Sequence, residues 1–151
     1  MGWLIKGGRV IDPANGIDCV ADVRIKDNKI VEVGPELQKD PGERVIDAEG
    51  LVVAPGLVDM HAHFREPGHE EKEDIESGSR AAAMGGFTSV LCMANTDPVC
   101  DNATVVRYVL ERGKEVGLCD VFPVGAITKG LKGEELAEMV DMARAGAVAF
   151  S

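Results

Sequence analysis

Residues 55–68 read "PGLVDMHAHFREPG": an apolar run that ends on His61 and His63, with Arg65 two residues further on and a Pro-Gly turn closing the stretch. In an extended segment, residues i and i+2 point to the same side, so His61 and His63 project together from a strand end. Two imidazoles placed this way can converge on one cation at about 2.0–2.1 Å, the distance zinc prefers. The same pair also fits two half-buried, hydrogen-bonded histidines at an ordinary strand end. The residues on either side of the stretch discriminate between the two.

Upstream, residues 1–54 read as short strands without a helix-length apolar period. "WLIKGGRVID" carries a Gly-Gly interruption, "DVRIKDNKIVEVG" alternates around an Asp27-Asn28 hairpin turn, and "GERVIDAEGLVVAPG" adds one or two further strands. Downstream, over residues 55–151, apolar β-rich runs ("GLVDMH", "GFTSVLCM", "CDVFPVGAI", "GAVAFS") alternate with helical patterns. "EKEDIESGSRAAAMGG" opens acidic and stops at Gly85, and "DNATVVRYVLERGKEVG" has Asp101 or Asn102 as its cap and a Val105/Val106/Val109/Leu110 stripe. "KGEELAEMVDMARAG" places Leu136, Met139, Val140 and Ala143 on one face. Such alternation predicts βαβ units and a parallel sheet with right-handed crossovers. Three units and a fourth strand cannot close an eight-stranded barrel. A chain that stops on a strand at Ser151 is expected to be the N-terminal portion of a longer protein.

Composition narrows the function classes. The hydrophobic share of 45% fills a core, and a formal charge of −10 argues against nucleic acid and anionic membrane surfaces. No apolar run approaches the ~20 residues of a membrane span, and the N-terminus lacks a secretory pattern. Cysteines at positions 19, 92, 100 and 119 form no C-x-x-C pair. They read as free thiols of a cytoplasmic protein, three of them packed as small hydrophobes. Met84, Met93, Met139 and Met142 read as core filler.

In βα architectures ligands bind at the carboxyl ends of the strands. That rim carries His61 and His63 after the first core strand, Arg65 on its loop, Asn95 in "MANTDP" after the second, and Lys129 in "AITKG" after the third. Plainer readings stand beside each. Arg65 can pair with Glu66 at the surface, Asn95-Thr-Asp-Pro can be turn chemistry, and His69 and the lone Lys129 fit solvated loop positions. The run "HEEKEDIE" reads as a helix start.

"PGLVDMHAHFREPG" together with "KEDIESGSRAAAMGGFTSVLCMANTDP" resembles the class I dihydroorotase family of the amidohydrolase superfamily. Its most specific pieces are H-x-H-x-R-E-P-G, G-G-F-T and N-T-D-P. The resemblance implies an α/β fold, the N-terminal part of a metal-dependent (β/α)₈ barrel (55–151), preceded by a small β-sandwich segment (1–54). It implies reversible cyclisation of N-carbamoyl-L-aspartate to L-dihydroorotate in de novo pyrimidine synthesis, with one or two Zn²⁺ ions. On this resemblance His61 and His63 bind zinc, and Arg65 and Asn95 hold the substrate carboxylate. The remaining ligands and the catalytic aspartate are expected beyond Ser151, with no catalytic residue in this chain, which is therefore expected to be inactive by itself. Ala94 stands where the family usually has proline, which is expected to loosen that turn. The resemblance leaves open another cyclic amidohydrolase, a hydantoinase or allantoinase, and a non-catalytic partner of aspartate transcarbamoylase. Association with that transcarbamoylase and a homo-oligomeric state are further family-based expectations.

Overall fold

In the computed structural model, which describes residues 2–151, the chain forms a first unit that runs to Pro55 and a second from Gly56 to Ser151. The Gly7-Gly8 pair does not interrupt the first strand. β1 (Gly2–Asp12) runs through it with a register shift between Ile5 and Gly8, opposite Val23 and Ala21 of β2 (Ile17–Lys26). Gly7 has φ +71° there, the left-handed backbone a bulge of this kind favours. The extra residue changes which positions face the apolar cluster. Ile5 does so before the bulge and Val10 after it, with Ala21 and Val23 from β2. The Asp27-Asn28 turn carries positive φ at both residues and joins β2 to β3 (Lys29–Gly34) as expected. β4 (Arg44–Asp47) and β5 (Val52–Val53) both pair with β1 in parallel, completing a mixed five-stranded sheet. Beneath it, buried Arg24 donates from Nε to Glu43 Oε1 at 2.9 Å, and buried Asp22 accepts from the Gly7 and Leu37 amides at 2.8 Å.

The second unit is α/β. Strands β6 (Leu57–Ala62), β7 (Phe87–Cys92), β8 (Asp120–Gly125) and β9 (Ala149–Phe150) lie in that order, all parallel. Helix α1 (Ile75–Met84) follows β6 and packs on β7, and α2 (Ala103–Val116) follows β7 and packs on β8. Asp74 caps α1, accepting from the Ser77 amide at 2.7 Å, while the Ser77 hydroxyl accepts from the Asp74 amide. Of the two candidate caps on α2 it is Asn102 that accepts from the Thr104 and Val105 amides. Gly117 ends α2 with φ +63°.

Two apolar clusters hold these layers together. One joins Phe64, Ile75, Val90, Cys92, Val109 and Val121, and the other joins Ala94, Cys100, Val105, Val106, Ala126, Ala137 and Met142. A fully buried side chain such as Ile75 contributes about 1.5–3 kcal/mol relative to exposure. α1 approaches so closely that a Cβ on Gly78 would stand 2.5 Å from the Phe64 ring.

The extent of the third helix and the place of Met84 differ from the sequence expectation. The third helical pattern yields only α3 (Met139–Ala145). Upstream of it, Lys129–Leu131 forms a 3₁₀ turn and Leu136 bridges to Thr128. The Ala137 amide donates to Ile127 O at 2.9 Å, so the loop consumes a donor that a longer helix would need. The buried face is Ala137 and Met142, while Leu136 and Val140 are exposed. Met84, expected in the core, sits at the end of α1 with 86% of its surface exposed. Cys92 and Cys100 are buried free thiols, and Cys119 is half-buried. Burial pushes the Cys92 thiol up to about 12 and that of Cys100 to about 11, which keeps both protonated and inert. No helix among the described residues is long and apolar enough to cross a membrane.

Candidate metal centre and its rim

His61 lies inside β6 and His63 one residue past its end. Their ring centroids are 5.2 Å apart with the planes inclined at 65°. Two imidazoles sharing a zinc at about 2.0–2.1 Å with a near-tetrahedral angle would have centroids roughly 5 Å apart, so the pair fits a common cation. The Asp59 side chain holds the backbone of the first of them, since the His61 amide donates to Asp59 Oδ1 at 2.9 Å.

Asn95 stands beyond the end of β7 and meets His63. The His63 Nδ1–H donates to Asn95 Oδ1 at 2.7 Å. An amide oxygen only accepts, so Nδ1 is the donor of this bond, and in the neutral imidazole Nε2 is then the nitrogen with a lone pair for a cation. The Asn95 amide nitrogen retains two donors. Asn95 is placed by a tight turn in which the Ala94 carbonyl accepts from the Thr96 amide at 2.9 Å and the Cys100 amide at 3.0 Å.

Arg65 is held differently. Its backbone has φ +63°, uncommon for a non-glycine residue. Among the described residues its side chain has no hydrogen-bond or ion-pair partner. Glu66, the neighbour expected to pair with it, is buried and faces inward. Glu66 Oε2 accepts from the Ile75 amide at 2.8 Å, and Oε1 accepts from the Tyr108 hydroxyl at 2.8 Å and Arg112 Nε at 3.2 Å. The Glu66 hydrogen bond, with burial, pushes the Tyr108 phenol up to about 12. Sequence reading missed this hub, because its partners lie 42 and 46 residues away. The only local signal is that Tyr108 and Arg112 are four apart on α2, on a flank of its apolar stripe.

The loops after β6 and β7 are sewn together. The Asp97 amide donates to Pro67 O at 2.9 Å, and Gly68, with φ +96°, packs so tightly that a Cβ would lie 1.9 Å from Asp97 O. No larger residue fits there. Other rim positions are tied into the fold. Lys129 Nζ pairs with Glu135. The half-buried His69 donates its amide to Arg65 O at 3.1 Å. Of "HEEKEDIE", only Ile75 and Glu76 lie in α1, and Glu70 Oε1 instead accepts from the Gly68 amide at 2.8 Å. That backbone bond holds the Glu70 carboxyl below its usual range.

The site thus brings together His61, His63 and Asn95, with Arg65 free on the adjoining loop. Among the described residues no third His, Cys, Asp or Glu joins the two imidazoles. Over its whole length the chain is 56% identical to a dihydroorotase from Pelobacter propionicus and 57% identical to one from Geobacter sulfurreducens, and it spans 36% of the length of each. Among solved structures it resembles an L-hydantoinase (dihydropyrimidinase) from Arthrobacter aurescens, with TM-score 0.78 and 28% identity over 98% of this chain and 32% of that one. A D-hydantoinase from a Thermus species superposes with TM-score 0.62 and 30% identity, over 83% of this chain and 28% of that one. A family match that begins at residue 50 and runs to residue 151, across every strand and loop carrying the rim, makes this chain a member of the dihydro-orotase-like family.

Proposed function

We propose that the protein to which this chain belongs is a zinc-dependent dihydroorotase, interconverting N-carbamoyl-L-aspartate and L-dihydroorotate in the cytoplasm for pyrimidine synthesis. The reading is supported by its family and by one observation above all. Two imidazoles stand 5.2 Å apart on a strand rim, one of them oriented by Asn95. His61 and His63 would hold the metal through ring nitrogens, the borderline-soft donors zinc accepts. When bound, zinc supplies Lewis acidity toward a carbonyl oxygen and acidifies a water to a pKa near 7.

The chain's own residues recognise the substrate. Arg65 offers a planar fork of donors that matches a carboxylate bidentately, and the Asn95 amide nitrogen adds neutral donors beside it. In a chain of net charge −10, an anionic substrate needs such a local cation. The remaining ligands and the proton-transferring carboxylate are assigned to the part of the protein beyond residue 151, where strands completing a (β/α)₈ barrel would also lie. The first unit would contribute to a small β-sandwich.

Turnover of the full-length protein on dihydroorotate, hydantoin and allantoin tests the reading. Activity on dihydroorotate is expected. Activity confined to hydantoin or allantoin would favour the related cyclic amidohydrolases, the reading that the hydantoinase-like solved structures keep in view. Loss of all three activities in a protein lacking stoichiometric zinc would indicate a scaffold. The proposal extends to a homo-oligomer and to association with aspartate transcarbamoylase, whose product is this substrate; sizing and co-purification test both.

A further inference from the structure

Arg65 and Glu66 are neighbours of opposite charge that do not pair. The left-handed backbone at Arg65, φ +63°, sends the two side chains different ways. A conformation of this kind persists in a non-glycine residue only where the surroundings over-determine it. Backbone bonds do part of this: the Glu66 amide donates to Phe64 O at 2.7 Å and the His69 amide to Arg65 O at 3.1 Å. The rest falls to the buried Glu66 carboxylate. Its three donors come from the first residue of α1 and from Tyr108 and Arg112 on α2. α2 is also anchored through Val105 and Val106, which pack in the cluster that does not include Phe64 or Ile75, so it gives the loop a fixed reference.

We propose that Tyr108 and Arg112 are positioning residues for the substrate carboxylate. Acting through Glu66, they fix the backbone that presents Arg65 and keep the neighbouring carboxylate from neutralising its guanidinium. This rests on the reading of Arg65 as the carboxylate anchor. With Arg112 gone, Glu66 would lose its only cationic partner among the described residues, and Arg65, its neighbour in sequence, becomes a replacement. A side-chain carboxylate would then compete with the substrate's own.

The test is steady-state kinetics of the full-length protein with dihydroorotate, alongside its zinc content. Arg112→Met is expected to raise KM on the order of tenfold while kcat stays within about twofold, the signature of lost uniform binding. Tyr108→Phe should shift KM the same way by less, Arg112→Lys should restore much of the loss, and zinc content should not move in any of them. In an Arg65→Met background, Arg112→Met should add no further rise. Unchanged KM in Arg112→Met, where Arg65→Met raises it, overturns the positioning role and leaves the anchor standing. An equal rise in both backgrounds, or a parallel fall in kcat and zinc, assigns Arg112 to general stability and overturns it too. Unchanged KM in Arg65→Met itself removes the anchor reading. Should Arg112→Met not accumulate folded, the half-exposed Tyr108→Phe carries the same comparisons.

Discussion

His63 is the residue on which the proposed site depends, because its Nδ1 is already committed to Asn95. That commitment fixes the ring's tautomer and its orientation. Asn95→Ala is therefore expected to weaken zinc binding about 10–100-fold, the usual cost of losing a partner that orients a metal-bound histidine. Competition with a chelator measures it, and unchanged affinity would show that the contact orients nothing. The histidines and Asn95 were readable as rim residues because strand alternation and βα spacing place them without knowledge of distant partners. The His63–Asn95 bond itself was not, since Asn95 was read as a ligand for substrate alone. Glu66 was hidden for a related reason. Its burial is created by Tyr108 and Arg112, and nothing local distinguishes it from a surface partner of Arg65.

Among the elements, α1 was legible in its body and its stop but not in its start, and α3 only in its stop at Gly146. α1 starts on the cap formed by Asp74 and Ser77 and stops at Gly85 and Gly86. The Ser77 amide hydrogen bond holds the Asp74 carboxyl below its usual range. A lowered folded-state value means a stabilising contribution that is complete above the ordinary carboxylate range and fades as pH falls through the lowered value. Asp74→Ala should then destabilise the protein near neutral pH and cost progressively less in acid, as denaturant midpoints across pH would report. A penalty independent of pH would contradict the cap. The Ser79 hydroxyl on the same helix is fully buried without a partner among the described residues. Ser79→Ala removes an unsatisfied group and favours the helix, so a gain of about 1 kcal/mol in unfolding free energy is expected. Destabilisation instead would reveal a partner for that oxygen. α3 misled because its apparent apolar stripe ran back through Leu136, a residue whose backbone bridges to Thr128. In β1 the bulge at Gly7 switched the inward parity, which a reading by simple alternation takes for an interruption.

For the molecule as a whole, the α/β class and parallel sheet were legible because alternating strand and helix periods leave few topologies. β6 leaves Leu57, Val58 and Met60 54%, 56% and 74% exposed. Val58 and Met60 share one side of the strand, and an uncovered apolar face of this kind suits the larger barrel proposed above. Two imidazoles are also one ligand short of the three protein ligands usual for catalytic zinc. The 151-residue polypeptide by itself is expected to show no dihydroorotate turnover, and a measurable rate from it would refute the assignment of further ligands to the rest of the protein. The central claim, that His61 and His63 together grip the catalytic cation, is tested most directly by zinc stoichiometry of the full-length protein set against its His63→Asn variant. The account predicts one or two zinc ions per chain in the wild type, with zinc and dihydroorotate turnover lost together in the variant. A variant that keeps its full zinc complement and its turnover would contradict it.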